Sequence, residues 1–154
     1  MIQASEGEAP YVLDGLLHNE SSVEIYEHAT DTAGATETTF SMFHAFGYRL
    51  IPRIRNLGNR RLFVIDRDPA YEPLDALIAG TVNMDVVEHH WDEVLRLKAS
   101  IAAGLVPPSV ILKKLAASPR QNRLNQALRE MGRIERSIFI CEWLLDTKLR
   151  RRSH

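Results

Sequence analysis

A short β-prone run that stops on an acidic residue constrains this chain more than any other feature. Residues 23–29, Val-Glu-Ile-Tyr-Glu-His-Ala, are β-branched and aromatic enough to form a short buried strand, and Thr-Ala-Gly-Ala at 32–35 reads as a tight exit into a helix. Asp31 then sits at the strand tip. Local sequence leaves two readings of it open, a turn or capping aspartate and a carboxylate held out for chemistry.

The flanking segments give that strand its neighbours. Ala9 to Asn19 places Val12, Leu13, Leu16 and Leu17 on one side of an amphipathic helix, which is expected to pack on a sheet. Thr36 to Phe46 reads as a helix with Thr36 as N-cap and Gly47 as its stop, burying Phe40, Phe43 and Phe46. Tyr48 to Ile54 is the next strand, with Pro52 marking an edge position or a late interruption. Asn-Leu-Gly-Asn at 56–59 is a turn, and Arg61 to Ile65 is a third short extended run.

After Asp66 the pattern becomes helical, which marks the best internal boundary. Pro69 to Ile78 reads as a short helix with Gly80-Thr81-Val82 as its exit. Asn83 caps a longer helix to Ala103 with Val87, Trp91, Val94, Leu95 and Ile101 as its buried stripe and Gly104 as its end. Pro107-Pro108 breaks the chain before a helix from Ser109 to Ala117. Ser118-Pro119 opens a long helix striped by Leu124, Leu128, Met131, Ile134, Ile138, Cys141 and Leu145, and Asp146 caps a last turn into Arg150-Arg151-Arg152.

With 154 residues the chain is long enough for one sizeable core, and 45% hydrophobic with 25% charged residues is ordinary globular composition that excludes wholesale disorder. No apolar run approaches the roughly 18 residues of a membrane span, and the first residues lack the basic-then-apolar order of a leader, so a cytoplasmic protein is expected. The single cysteine, Cys141, is expected as a buried core thiol. The net charge of −1 hides an asymmetry: 6 Lys+Arg against 16 Asp+Glu through Leu95, then 13 against 4 from Arg96 onward. A basic C-terminal half fits a phosphate backbone, and it also fits a solvated helical surface.

Several separated motifs carry a family resemblance. Thr30-Asp31-Thr32-Ala33-Gly34 resembles the second-aspartate motif T-D-T-G-G of the DDE transposases of replicative class II transposons, the Tn-three family, with alanine in place of one glycine. In the same order follow Phe-Gly-Tyr-Arg-Leu-Ile-Pro-Arg-Ile-Arg at 46–55, His-Trp-Asp-Glu-Val-Leu-Arg-Leu at 90–97 and Pro-Arg-Gln-Asn at 119–122. Leu-Arg-Glu-Met-Gly-Arg-Ile-Glu-Arg at 128–136 resembles the family's R-E-L-G-R-I-E-R stretch, and Tyr-Val-Leu-Asp-Gly-Leu-Leu at 11–17 precedes the aspartate.

The resemblance implies an α/β, helix-rich fold: a partial RNase H-like catalytic core over residues 1–66 carrying the second aspartate, then an all-helical insertion over 67–154. It implies phosphodiester cleavage and strand transfer on Mg²⁺ ions, transposon ends and target DNA as partners, and Asp31 as a catalytic and metal-binding residue. Two-metal chemistry needs carboxylates from separate elements. The family's first aspartate lies upstream of this stretch and its glutamate beyond the counterpart of Leu149-Arg-Arg-Arg, so one of three ligands is present and a fragment inactive alone is expected.

Other chemistries fit less well. His89 and Glu93 are four apart on one helix face, the spacing of a metal pair, but a solvated face for His89, Asp92 and Glu93 with Trp91 buried is the favoured account. Glu130 and Glu135 lie between arginines and read as surface ion pairs. There is no Gly-rich phosphate loop, zinc spacing or serine elbow. Arg120, Arg123, Arg133 and Arg136 on the long helix, and Arg53 and Arg55 beside Asp31, are the candidate DNA contacts, with Gln121 and Asn122 as candidate base readers. A different class of function is a non-catalytic regulator that occupies DNA or associates with full-length transposase, and a third is a truncated relic.

Overall fold

The computed structural model describes residues 9–18, 23–32, 34–56, 61–117 and 122–153. Ser118, Pro119, Arg120, Gln121 and most of the 56–59 turn lie outside the described residues. Helix α1 (Ala9–Leu17) comes first, then strand β1 (Glu27–Thr30), α2 (Glu37–Ala45), β2 (Arg49–Pro52) and β3 (Leu62–Val64). A 3₁₀ segment (Pro69–Leu77) leads into β4 (Ile78–Thr81), followed by α3 (Met84–His89), α4 (Trp91–Ala102), α5 (Pro108–Ala117), α6 (Arg123–Leu145) and α7 (Thr147–Arg152).

The ends of these elements follow the chemistry of their capping residues. Thr36 is extended and its hydroxyl accepts from Thr39 N at 3.1 Å, starting α2. Gly47 and Gly104 close α2 and α4 with φ of +79° and +71°, a conformation that other residues adopt at a steric cost. Asn83 caps α3 through Val86 N, and Asp146 caps α7 through Lys148 N. The long helix starts at Arg123, not at Pro119, because Asn122 supplies the cap by accepting from Asn125 N.

Two small parallel sheets are present among the described residues. In one, β1 and β2 pair through the α2 crossover, Glu27 opposite Arg49 and Thr30 opposite Pro52. Pro52, lacking an N–H, stands at the last pair, which agrees with a late end to that strand. In the other, β3 and β4 pair with an irregularity after Leu62. The segment after Asp66 is therefore not wholly helical: Gly80-Thr81 is strand and not a helix exit, because β3 offers it a ladder that the helical pattern of its own sequence does not reveal.

Packing corrects several expectations. The residues before and within β1 are not buried: Val23 and Tyr26 are 64% and 63% exposed, since among the described residues β1 pairs with β2 alone. Helix α1 packs on α5, not on a sheet. There Asp14 accepts from Ser109 N at 2.9 Å and also from its hydroxyl. The helix expected from Asn83 to Ala103 breaks at His90, which puts Trp91 at the start of α4 and leaves it half-exposed, while Val87, Val94 and Ile101 line up inward at two-turn spacing.

One core joins both sides of Asp66: Leu13, Phe40, Met42, Phe43, Leu50 and Ile51 pack with Val94, Ile101, Leu112, Leu128, Phe139 and Leu149. Helix α6 packs on α2, α3, β3, α4 and α7, and its buried face keeps Leu128 of the expected apolar stripe, with Leu124 and Met131 against the core, but departs from the rest of it. Asn125, Ala127, Leu128, Gly132, Ser137, Phe139 and Ile140 are buried, whereas Ile138, Cys141 and Leu145 are exposed. The helix is held by α2 and by α3 and β3, and small residues mark where its backbone comes closest. Ser137 Oγ accepts from Phe63 N at 2.8 Å, tying β3 to the helix.

Gly132 is the extreme case. A Cβ there would lie 1.7 Å from the carbonyl oxygen of Glu37 and 2.3 Å from its carbonyl carbon, so α6 and the first turn of α2 touch backbone to backbone. Helix propensity alone predicts that Gly132→Ala stabilises by about 1 kcal/mol. The overlap with unyielding backbone is expected to reverse that sign and cost about 2 kcal/mol or more. Urea denaturation measures it, and a gain in stability would contradict the close approach.

Candidate functional site

Asp31 follows the last residue of β1 and is exposed. Its Oδ1 accepts from Gly34 N at 3.1 Å, Gly34 O accepts from Thr36 N at 3.2 Å, and Thr36 caps α2. On the other side Thr32 Oγ1 donates to Arg53 O at 2.8 Å, and Arg53 N donates to Thr30 O at 2.9 Å. The turn-bracing reading of Asp31 therefore holds. The residue braces its own turn, and it stands exposed at a strand tip between the exit of β2 and the start of α2.

The candidate cations divide by where their side chains go. Arg53 and Arg55 are exposed and follow β2 directly, on the side of the turn that Thr32 fastens. Arg123 is exposed at the start of α6 and reaches Gln126 at 3.3 Å. Arg133 and Arg136 are largely covered, with side chains 25% and 18% exposed. Arg133 pairs with Glu130 at 2.5 Å and lies 4.4 Å over the Phe63 ring, while Arg136 pairs with Glu37 at 2.7 Å and stands 5.8 Å from the same ring. The Nε atoms of both are buried without a protein partner.

Much of the remaining basic charge near the C-terminus is also engaged. Arg152 pairs with Glu27 at 3.0 Å, and Arg150 donates to Leu144 O and stacks on Trp143. Glu130 is no surface residue: it also accepts from Asn83 N at 3.0 Å, joining the start of α3 to α6. His89 bonds Asp85 O along its own helix, and His90 meets Glu93 at 3.2 Å. Among the described residues no three His, Cys, Asp or Glu converge as metal ligands.

Among the described residues, two concavities lie beside α6. A cavity of about 20 Å³, room for a single water, lies among Thr32, Arg53, Arg136, Phe139 and Ile140, directly beneath the Asp31 turn. A larger groove of about 330 Å³ runs between His44, Tyr48 and Arg49 on one wall and Glu135, Ile138 and Glu142 on the other. Sequence reasoning missed Glu37, Phe63, Gly132 and Ser137. A glycine inside an otherwise strong helix-forming run was the one available signal, since such a residue costs helix stability unless packing requires it.

Burial pushes the Glu135 carboxyl above its ordinary value, with the adjacent Glu142 charge adding to the rise and His44, 3.2 Å away, opposing it. A folded-state value above the unfolded one means that Glu135 contributes fully below the usual carboxylate range and loses that contribution as pH rises through the raised value. Glu135→Gln is expected to flatten this fall, so the variant gains on the parent chain as pH rises above the usual carboxylate range. Urea midpoints followed from acid to neutral pH test it, and a parent chain that gains on the variant instead would contradict it. The exposed Cys141 thiol is also pushed up, by partial burial and the Glu142 charge, which does not favour a reactive thiolate.

The whole sequence, residues 1–154, matches the family described as Tn3 transposase DDE domain. Over 147 residues, 96% of this chain, it is 50% identical to the transposase of transposon Tn21 from Escherichia coli. Over a stretch of the same length and coverage it is 51% identical to the transposase of Tn501 from Pseudomonas aeruginosa. The transposase of Tn1546 from Enterococcus faecium is 45% identical over 152 residues, 99% of the chain. In each case the chain spans 15% of the relative's length. The strand-tip aspartate, the parallel strands around α2 and the Leu128 to Arg136 junction are therefore those of a chain that belongs to the Tn3 transposase DDE domain family.

Proposed function

We propose that this chain is the part of a DDE transposase catalytic domain that presents the second aspartate, Asp31, for cleavage of transposon ends and transfer of the 3′ hydroxyls to target DNA. The observation that carries the reading is Asp31 itself: an exposed carboxylate at the end of a parallel strand, in a turn fastened on both sides. Residues 1–66 then belong to an RNase H-like core, with the segment from 67 onward as a helix-rich insertion that lends β4 to β3. When bound, a Mg²⁺ pair would supply the Lewis acidity that activates the attacking oxygen and stabilises the leaving one. The described residues fit one position in such a set and not the whole of it, so Asp31 serves as one ligand alongside carboxylates elsewhere in the enzyme.

The chain's own residues have separable tasks. Thr32 and Gly34 hold the Asp31 turn, and Arg53 and Arg55 stand where a phosphate backbone approaching that turn would meet them. Arg123 adds charge at the start of α6. Arg133 and Arg136, expected as DNA contacts, are committed to Glu130, Glu37 and Phe63, so their part is to join elements. That weakens the form of the regulator reading in which the long helix occupies DNA, and leaves association with full-length transposase untouched.

In a full-length relative, asparagine at the position of Asp31 is expected to abolish end cleavage and joining while leaving end binding intact. Retained cleavage would overturn the assignment. The isolated chain is expected to leave labelled end fragments uncut with Mg²⁺ or Mn²⁺. Weak duplex binding by the chain should fall steeply with salt, and Arg53→Gln with Arg55→Gln should reduce the log–log slope by roughly 0.9 for each phosphate no longer neutralised. Arg136→Gln should change stability and leave that slope alone.

A further inference from the structure

We propose that Gly132 and Arg136 of α6 are positioning residues for Asp31: they grip Glu37, the first residue of α2, by its backbone and its side chain, and so set where the Asp31 turn stands. The inference rests on the reading of Asp31 as a catalytic carboxylate.

The turn and α2 are mechanically continuous. Asp31 to Gly34, Gly34 to Thr36 and Thr36 to Thr39 are linked in series by hydrogen bonds of 3.1, 3.2 and 3.1 Å. A rotation or lift of the first helical turn is therefore passed to the carboxylate. Little apolar burial holds that turn in place, because the buried residues of α2 begin at Thr39 and its first two residues are Glu37 and Thr38. What holds them is polar and steric. The Glu37 backbone lies where any Cβ at 132 would be, Arg136 Nη1 reaches Glu37 Oε1 at 2.7 Å, and Thr38 Oγ1 bonds Asn125 Oδ1 at 3.3 Å.

Gly132 and Arg136 lie one helical turn apart on α6, so the two grips act on one residue from one face. Arg136 is itself held near the Phe63 ring of β3 at 5.8 Å, which restricts its rotamer, and it lines the small cavity under Thr32 and Arg53. On the opposite side, the Thr32 bond to Arg53 O fixes the turn relative to the sheet. Loss of the Arg136 grip should consequently free the first turn of α2 and the Asp31 turn while Phe40, Phe43, Leu128 and Phe139 keep the core closed.

Amide exchange by NMR on the intact chain reads this directly. Arg136→Gln and, from the other partner, Glu37→Gln are each expected to speed exchange at Gly34 and Thr39 by about tenfold, as the pair is broken whenever the turn opens. Arg136→Lys, which keeps the charge, is expected to restore most of the protection. Unchanged exchange at Gly34 and Thr39, whether or not Leu128 in the core accelerates, would overturn the inference by showing that the turn opens without breaking the pair. In a full-length relative, glutamine at the position of Arg136 should slow end cleavage at saturating DNA without weakening end binding, and an unchanged rate would equally overturn it. The two readings fail separately, because full cleavage by the Asp31→Asn variant would remove the catalytic assignment and leave the exchange result standing.

Discussion

The closest approach between α2 and α6, where the Glu37 carbonyl fills the space a Cβ at residue 132 would need, governs the rest of this structure. At that separation two helices meet without side chains between them, and such an approach is available only to glycine. It brings Phe40 within ring contact of Phe139 and lets Arg136 reach Glu37. It also places α2 so that β1 and β2, on either side of it in sequence, lie parallel with Asp31 at the tip.

The stretch Leu128 to Arg136 is best understood through this junction. Leu128 is fully buried in the core, Glu130 accepts from the backbone where α3 begins, and Gly132 admits α2. Arg133 lies over Phe63 of β3, Glu135 meets His44 near the end of α2, and Arg136 holds the first residue of α2. Charged residues on a helix suggest a solvated or DNA-facing surface when read one at a time. Here the ion pairs are partly covered, and partly covered pairs with fixed geometry matter more to structure than exposed ones do.

What was legible in the sequence depended on whether the determinant was local. Caps and stops were legible, since Thr36, Asn83, Asp146, Gly47 and Gly104 act on backbone groups within a few residues of themselves. Asp31 and its place at the strand end were legible for the same reason, aided by the ordered family motifs. The strand Ile78–Thr81 was not, because its partner β3 lies many residues upstream and its own residues carry no alternating pattern. The buried face of α6 escaped too: an apolar stripe ranks Ile138, Cys141 and Leu145 above Ala127, Gly132 and Ser137, whereas burial there follows how near the neighbouring backbone comes. Where Arg133 and Arg136 are engaged was hidden by the same logic, since Glu37 and Phe63 are distant from them in sequence.

A double-mutant cycle on Glu37 and Arg136 tests most directly whether the α2–α6 junction is held as described. Glu37→Gln, Arg136→Gln and the pair together would be compared by urea denaturation at neutral pH and moderate salt. Both side chains are mostly covered, so the cycle is expected to return a coupling of about 1 kcal/mol or more. Additivity of the two single effects within about 0.3–0.5 kcal/mol would contradict it. In that case the arginine would be one more solvated charge on a helix, and the Asp31 turn would owe its position to something else.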